Sequence, residues 1–204
     1  MLSLLLPTAV LYVSTVTPVE RAIPPQGATF DTTVAVMSAT NLALDLRTGG
    51  SVKITGGADK IVRVHVTDGG RACDDCRVEL EHTSQGIQLR SHRASSVGAP
   101  SDLRFEIEVP QHFDVDLSSA GGEVQIEGVD GTIKGQTESG ALTLRRLSGS
   151  VDLQTKRGDV TLRESYVSGR VRTVGGKVLM EDVTGAVEGS TEDGKVIKRR
   201  VSVN

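Results

Sequence analysis

The chain has 204 residues, 23 Lys plus Arg against 26 Asp plus Glu, a formal net charge of −3, and no tryptophan. A mildly acidic balance argues against nucleic-acid binding, which needs basic surface to neutralise phosphates and aromatic faces to stack bases. Its aromatic residues are Tyr12, Phe30, Phe105, Phe113 and Tyr166, too few for tight sugar stacking or an aromatic-anchored interface, so any binding should be weak, polar or multivalent.

Residues 1–22 open with the apolar run MLSLLLPTAVLYVSTV, interrupted by Pro7. It is short for a membrane span, which needs about 20 residues. A secretory signal fits better, although the basic flank is missing and Glu20 spoils a small-x-small site before Ala22. The alternative is a strand belonging to the fold. No lipobox cysteine supports a lipid anchor.

Residues 28–110 read as an irregular β region. Apolar alternation predicts short strands near Val34–Val36, Leu42–Leu46, Val52–Ile54, Ile61–Val66, Val78–Leu80, Ile87–Leu89 and Phe105–Val109, separated by Gly, Asp and Ser turns. Wider coils or a small antiparallel sheet, capping the C-terminal half of the chain, are expected. Cys73 and Cys76 form a CDDC motif in a Gly- and Asp-rich loop. Three readings compete: a disulfide pinning the turn, thioredoxin-like redox chemistry without its βαβ setting, or a zinc site with His65 and His82 as contributors. Asp74 and Asp75 would raise the thiol pKa values and disfavour a reactive thiolate. The stretch SHRASSVGAP, Ser91 to Pro100, reads as a loop and an internal boundary.

Residues 111–204 repeat. Glycine recurs every eighteen residues at Gly122, Gly140, Gly158, Gly176 and Gly194. Two places on stand Val124, Leu142, Val160, Val178 and Val196, and four places on Ile126, Leu144, Leu162, Met180 and finally Lys198. A spacing of two puts both side chains on one face of a strand. Val129, Leu147, Val183 and Val201 follow seven after the glycine. The third unit has Ser165 there, with Val167 late and Gly169 displaced relative to Gly131, Gly149 and Gly185, which predicts a small insertion. The second half-unit opens with Val115, Ile133, Val151 and Val187 and ends on Ser119, Thr137, Thr155, Thr173 and Thr191. The pattern predicts an all-β, single-chain β-solenoid (β-helix) with about eighteen residues per coil, its glycines at corners that turn with positive φ. The single threonine ladder suits a pleated surface better than an ice-ordering array, which needs two. Gly50 and Gly86 share the eighteen-residue phase, but Asp68 and Arg104 interrupt it.

Charges repeat too. Glu127, Arg145, Arg163, Glu181 and Arg199 form one ladder; Gly128, Arg146, Glu164, Asp182 and Arg200 the next; Lys134, Asp152, Arg170 and Glu188 alternate in sign. Opposite charges on adjacent strands hold register at about 0.2–1 kcal/mol each.

The segment FDVDLSSAGGEVQIE, Phe113 to Glu127, and VDGTIKGQTESGALTLRRLSGSVDLQTKRGDVTLRE after it resemble the DUF4097 adhesin-like family of bacterial β-strand-repeat proteins. The resemblance covers about ninety residues and implies a β-helical, exported domain of a bacterial envelope. It brings no catalytic residues.

The expected function is therefore a non-catalytic, exported structural or adhesin-like protein, in the periplasm or at the cell surface, acting through a polar solenoid face. An envelope protein or glycan is the expected partner, with self-association through the solenoid ends a further mechanism. Lys198, Arg199 and Arg200 weigh against that association, because edge charges discourage stacking. A polysaccharide lyase or hydrolase is the main alternative, with Asp152, Asp159, Glu164, Glu181 and Asp182 as available carboxylates; a periplasmic sensory partner is another. His65, His82, His92 and His112 form no readable triad, and no nucleotide or metalloprotease motif supplies a cofactor or catalytic metal.

Overall fold

The computed structural model describes residues 19–22, 30–36, 41–69, 73, 75–83, 86–94 and 101–203. Residues 1–18, which include the whole apolar run, and residues 95–100 of the expected loop lie outside these. The chain is all-β. The strands are β1 (Val19–Ala22), β2 (Phe30–Ala35), β3 (Asn41–Leu46), β4 (Ser51–Gly57), β5 (Ile61–Asp68), β6 (Cys76–Thr83), β7 (Gly86–Arg93), β8 (Leu103–Pro110) and β9 (Asp114–Ser119). They continue as β10 (Val124–Glu127), β11 (Asp130–Thr137), β12 (Leu142–Arg145), β13 (Ser148–Arg157), β14 (Val160–Gly175), β15 (Val178–Thr184), β16 (Val187–Thr191) and β17 (Val196–Ser202). Each strand expected in the first half is present. Ser91–Arg93, expected in a loop, instead ends β7, where it pairs with β6.

The strands form two walls around one core. The front wall stacks β16, the second half of β14, β13, β11 and β9 in parallel. The back wall stacks β17, β15, the first half of β14, β12 and β10. Neighbours pair at a constant offset of eighteen residues, as in Val124↔Leu142 and Leu142↔Val160. Inward side chains of one unit, such as Ile133, Leu142, Leu144 and Leu147, are buried, contributing about 1.5–3 kcal/mol each.

The offset persists through the third unit, so the expected insertion is absent. Ser165 pairs with Val183, and Gly169 with Val187. Ser165 takes the aliphatic position because its hydroxyl donates to the Arg163 carbonyl at 2.6 Å and accepts the Leu147 N–H at 3.1 Å. Val167 pairs with Gly149 and is buried, supplying apolar volume that Gly169 lacks two residues later on the same face.

The first half docks out of chain order. β3 pairs with β9, and β4 with β10, so Asn41–Gly57 forms a unit directly beneath the regular stack. β7 and β8 then pair in parallel with the other side of β3 and β4. Beyond them β6 and β1 extend the front wall and β5 and β2 the back wall, all antiparallel. The first half thus adds one unit with a corner one residue longer, one wider unit and two antiparallel layers.

Candidate functional site

The repeat's own residues are absorbed by the fold. A Cβ built on Gly122, Gly140, Gly158, Gly176 or Gly194 would meet the preceding unit's glycine carbonyl oxygen at 1.7 to 2.3 Å. The threonines face these corners: the hydroxyls of the buried Thr155 and Thr173 and the half-buried Thr191 donate to the carbonyls of Gly140, Gly158 and Gly176 at 3.1, 2.8 and 2.7 Å. A ladder turned inward has no water-ordering role.

The candidate carboxylates are bound to neighbouring units. Asp152 accepts from Arg170 at 2.8 Å, Glu164 from Arg145 at 2.9 Å, and Glu181 lies 3.2 Å from Arg163. Asp182 pairs with Arg200, and Asp159 accepts the Lys177 N–H at 3.0 Å. Asp159, Glu164 and Asp182 are held below the ordinary carboxyl range, chiefly by those hydrogen bonds. Arg145, Arg170 and Arg200 are raised for the same reason.

Sγ atoms of Cys73 and Cys76 are bonded to each other, with Cα atoms 5.3 Å apart. Asp75 completes a cluster whose three ligand atoms lie within 4.8 Å, but both sulfurs are already occupied by each other. His82 pairs with Ile87 at the far end of β6 from Cys76, and His65 stands on β5 in the other wall, so neither joins the cysteines. His65 hydrogen-bonds Asp31, His92 lies 3.9 Å from Glu79, and His112 lies 2.9 Å from Asp130.

What the repeat does not explain is the outer surface of the out-of-order units. On the front wall, strand register aligns Glu79, Arg90, Asp45, Ser118, Gln136, Gln154 and Arg172 in one row across β6, β7, β3, β9, β11, β13 and β14. Two shallow cavities of about 350 and 300 Å³ lie along it and share Asp45 and Arg47. Asp45 accepts from Arg47 at 3.1 Å, Gln88 from Arg90 at 2.8 Å, and Glu81 lies 3.7 Å from Arg90. Along the row Glu79, Arg90 and Asp45 are acceptor, donor and acceptor, Ser118, Gln136 and Gln154 each offer both, and Arg172 donates, at the strand spacing of roughly 4.8 Å.

The back wall carries a third cavity of about 350 Å³, lined by Lys53, Thr55, Arg63, His65, Glu106, Ile107 and Glu108. Arg63 bonds Glu108 at 2.6 Å, which raises the guanidinium pKa. Tyr166, 57% exposed, stands apart from these three cavities, between Ser148 and Thr184.

These rows escape a reading of the sequence because their neighbours are remote in the chain. Asp45 pairs with Arg90 and with Ser118. The readable signal is the echo of Gly50: it stacks under Gly122, and Val52 under Val124 at an offset of 72, four repeats of eighteen. Leu42 pairs with Val115 at 73, so the corner between β3 and β4 holds one extra residue and breaks the periodicity. Gly86 stacks instead against Asn41, so its phase is a coincidence.

No family model matches the chain, and no curated protein matches it. Among solved structures, it is similar to a candidate cell adhesion protein from Clostridium sporogenes at 10% identity and a TM-score of 0.45, over 85% of this chain and 99% of that one. A candidate adhesin from Bacteroides fragilis follows at 11% and 0.36, over 87% and 99%. A candidate lipid binding protein from Parabacteroides distasonis gives 12% and 0.28, over 89% and 99%. The resemblance to DUF4097 accordingly stands on the repeat residues.

Proposed function

We propose that the chain is an exported β-solenoid of eighteen-residue coils that binds, without catalysis, an extended polar polymer of the cell envelope such as a glycan. The observation that carries this reading is the front-wall row from Glu79 to Arg172, flanked by shallow open cavities. A linear polyhydroxyl chain lying across the strands meets a hydrogen-bonding side chain at each strand. Single contacts on such a wet surface are weak, and affinity grows with the number engaged. The shallow walls and lack of an aromatic platform along the row suit that regime. The Cys73–Cys76 disulfide supports export, since disulfides persist in oxidising compartments. The lowered carboxyls support binding over glycoside cleavage, which needs one carboxyl raised to act as an acid.

A glycan and matrix-polymer array probed with the 204-residue protein tests this. Binding should appear to polymers and fade for their monomers, and the double variant Asp45→Ala, Gln136→Ala should weaken it about tenfold. No signal above background on any polymer would remove the reading. Reducing ends or unsaturated products from a polysaccharide panel would replace it with the enzyme alternative.

A further inference from the structure

The last described unit of the stack is paired on one side only. Among the described residues, β16 pairs with β14 and β17 with β15, each on one side. Val196, at the end of an aliphatic ladder, is 40% exposed. Such an edge is a template for another strand, and its charges decide which strand fits.

Those charges are sorted by wall. β16 and the turn after it carry Glu188, Glu192 and Asp193, whereas Lys195, Lys198, Arg199 and Arg200 lie on or beside β17. The ladder beneath Glu188 reads Lys134, Asp152, Arg170, Glu188, so a cation would continue it. The ladder beneath Arg199 reads Arg163, Glu181, Arg199, so an anion would continue that one. Glu181 is shared by Arg163 at 3.2 Å, Arg200 at 3.4 Å and Arg199 at 3.7 Å, which leaves Arg199 the most weakly held.

The two strands face each other across the core. A Cβ on Gly189 would touch Val178 and Met180, whose ladders end at Val196 and Lys198. Gly189 therefore stands between the levels of Val196 and Lys198, which puts Glu188 within one residue of Arg199 along the strand.

We propose that this one-sided edge of β16 and β17 binds a second copy of this chain, tail to tail, through a two-fold axis parallel to the strands. That operation lays the partner copy's acidic β16 antiparallel over β17, and its basic β17 over β16, so Glu188 of each chain comes within one residue of Arg199 of the other, inside the reach of that long side chain. It also sets a glycine, Gly189, against the inward ladders that end in Val196 and Lys198. A two-fold across the strands would stack Arg199 on its own copy and is repulsive. The edge charges that discourage parallel extension therefore select this one arrangement, and the contact closes after two chains. Two strands of five and seven residues present a small end face, so the dimer forms at high concentration and weakens with salt. This inference does not depend on glycan binding.

Sedimentation equilibrium across micromolar to near-millimolar protein, in low and high salt, tests it. The expected mass rises to a ceiling at twice 21.5 kDa and falls back with salt. Glu188→Arg and Arg199→Glu should each weaken association at least about tenfold, with circular dichroism confirming the fold, and the double variant should restore it. Within one chain the double variant faces Arg170 and Glu181 with like charges, so rescue can come only from pairs between chains. A monomer at every concentration, growth beyond two chains, unaffected single variants or an unrescued double variant would each overturn the proposal.

Discussion

At the residue scale, the corner glycines are legible in the sequence while their reason is not. Positive φ accounts for Gly122, Gly140 and Gly158, yet Gly176 and Gly194 are not among the positive-φ residues. All five stand where a Cβ would collide with the carbonyl of the unit below. Close approach of stacked backbones is the common cause, and it follows from strand spacing, not from the turn alone. Gly140→Ala, which would place a methyl 1.9 Å from the Gly122 oxygen, should destabilise the protein by about 3 kcal/mol in thermal or denaturant unfolding. The other corner works in reverse: Arg146, Glu164, Asp182 and Arg200 hold positive φ where Gly128 stands in the first regular unit. Side chains are kept there for their ion pairs, with Glu127, Arg145 and Asp182 among the partners. Their charge was readable; their backbone strain was not.

At the scale of elements, sign alternation along a ladder announces that neighbouring strands pair, but not which partner each charge takes. Arg145 lies in the ladder between Glu127 and Arg163, yet it bonds Glu164 diagonally, because Arg146 occupies Glu127. Folding lowers the pKa values of Asp159, Glu164 and Asp182, so the folded chain binds fewer protons than the unfolded one in acid. Their stabilisation is complete above the ordinary values of 3.8 and 4.5 and is lost as pH falls through the lowered folded values. Thermal midpoints should therefore stay level from neutrality down to about pH 5 and fall below about pH 4. The triple variant Asp159→Asn, Glu164→Gln, Asp182→Asn should be less stable at neutrality and show a flatter acid dependence. An unchanged acid slope would assign the loss to other carboxylates.

At the scale of the molecule, a stack with one register should tolerate loss of a whole unit and not of half. Deleting residues 141–158 joins Gly140 to Asp159 with every ladder in phase. That variant should keep a β-rich dichroism spectrum and cooperative unfolding at lower stability, since each unit adds its own core and one interface. Deleting nine residues sends back-wall positions to the front wall, and the product should not fold.

The sequence by itself determined the all-β class, the eighteen-residue register of the last ninety residues, and the inward and outward faces of each strand. Those properties are local and periodic, so spacing alone reports them. Only the tertiary structure decided that β3 lies between β7 and β9 and β4 between β8 and β10, that β6 and β5 lie beyond β7 and β8, and that Asp45, Arg90 and Ser118 share a row. These contacts join segments tens of residues apart through one corner with an added residue. Pairing between distant strands depends on which edges remain free once the core is filled, and a linear pattern carries no record of that choice.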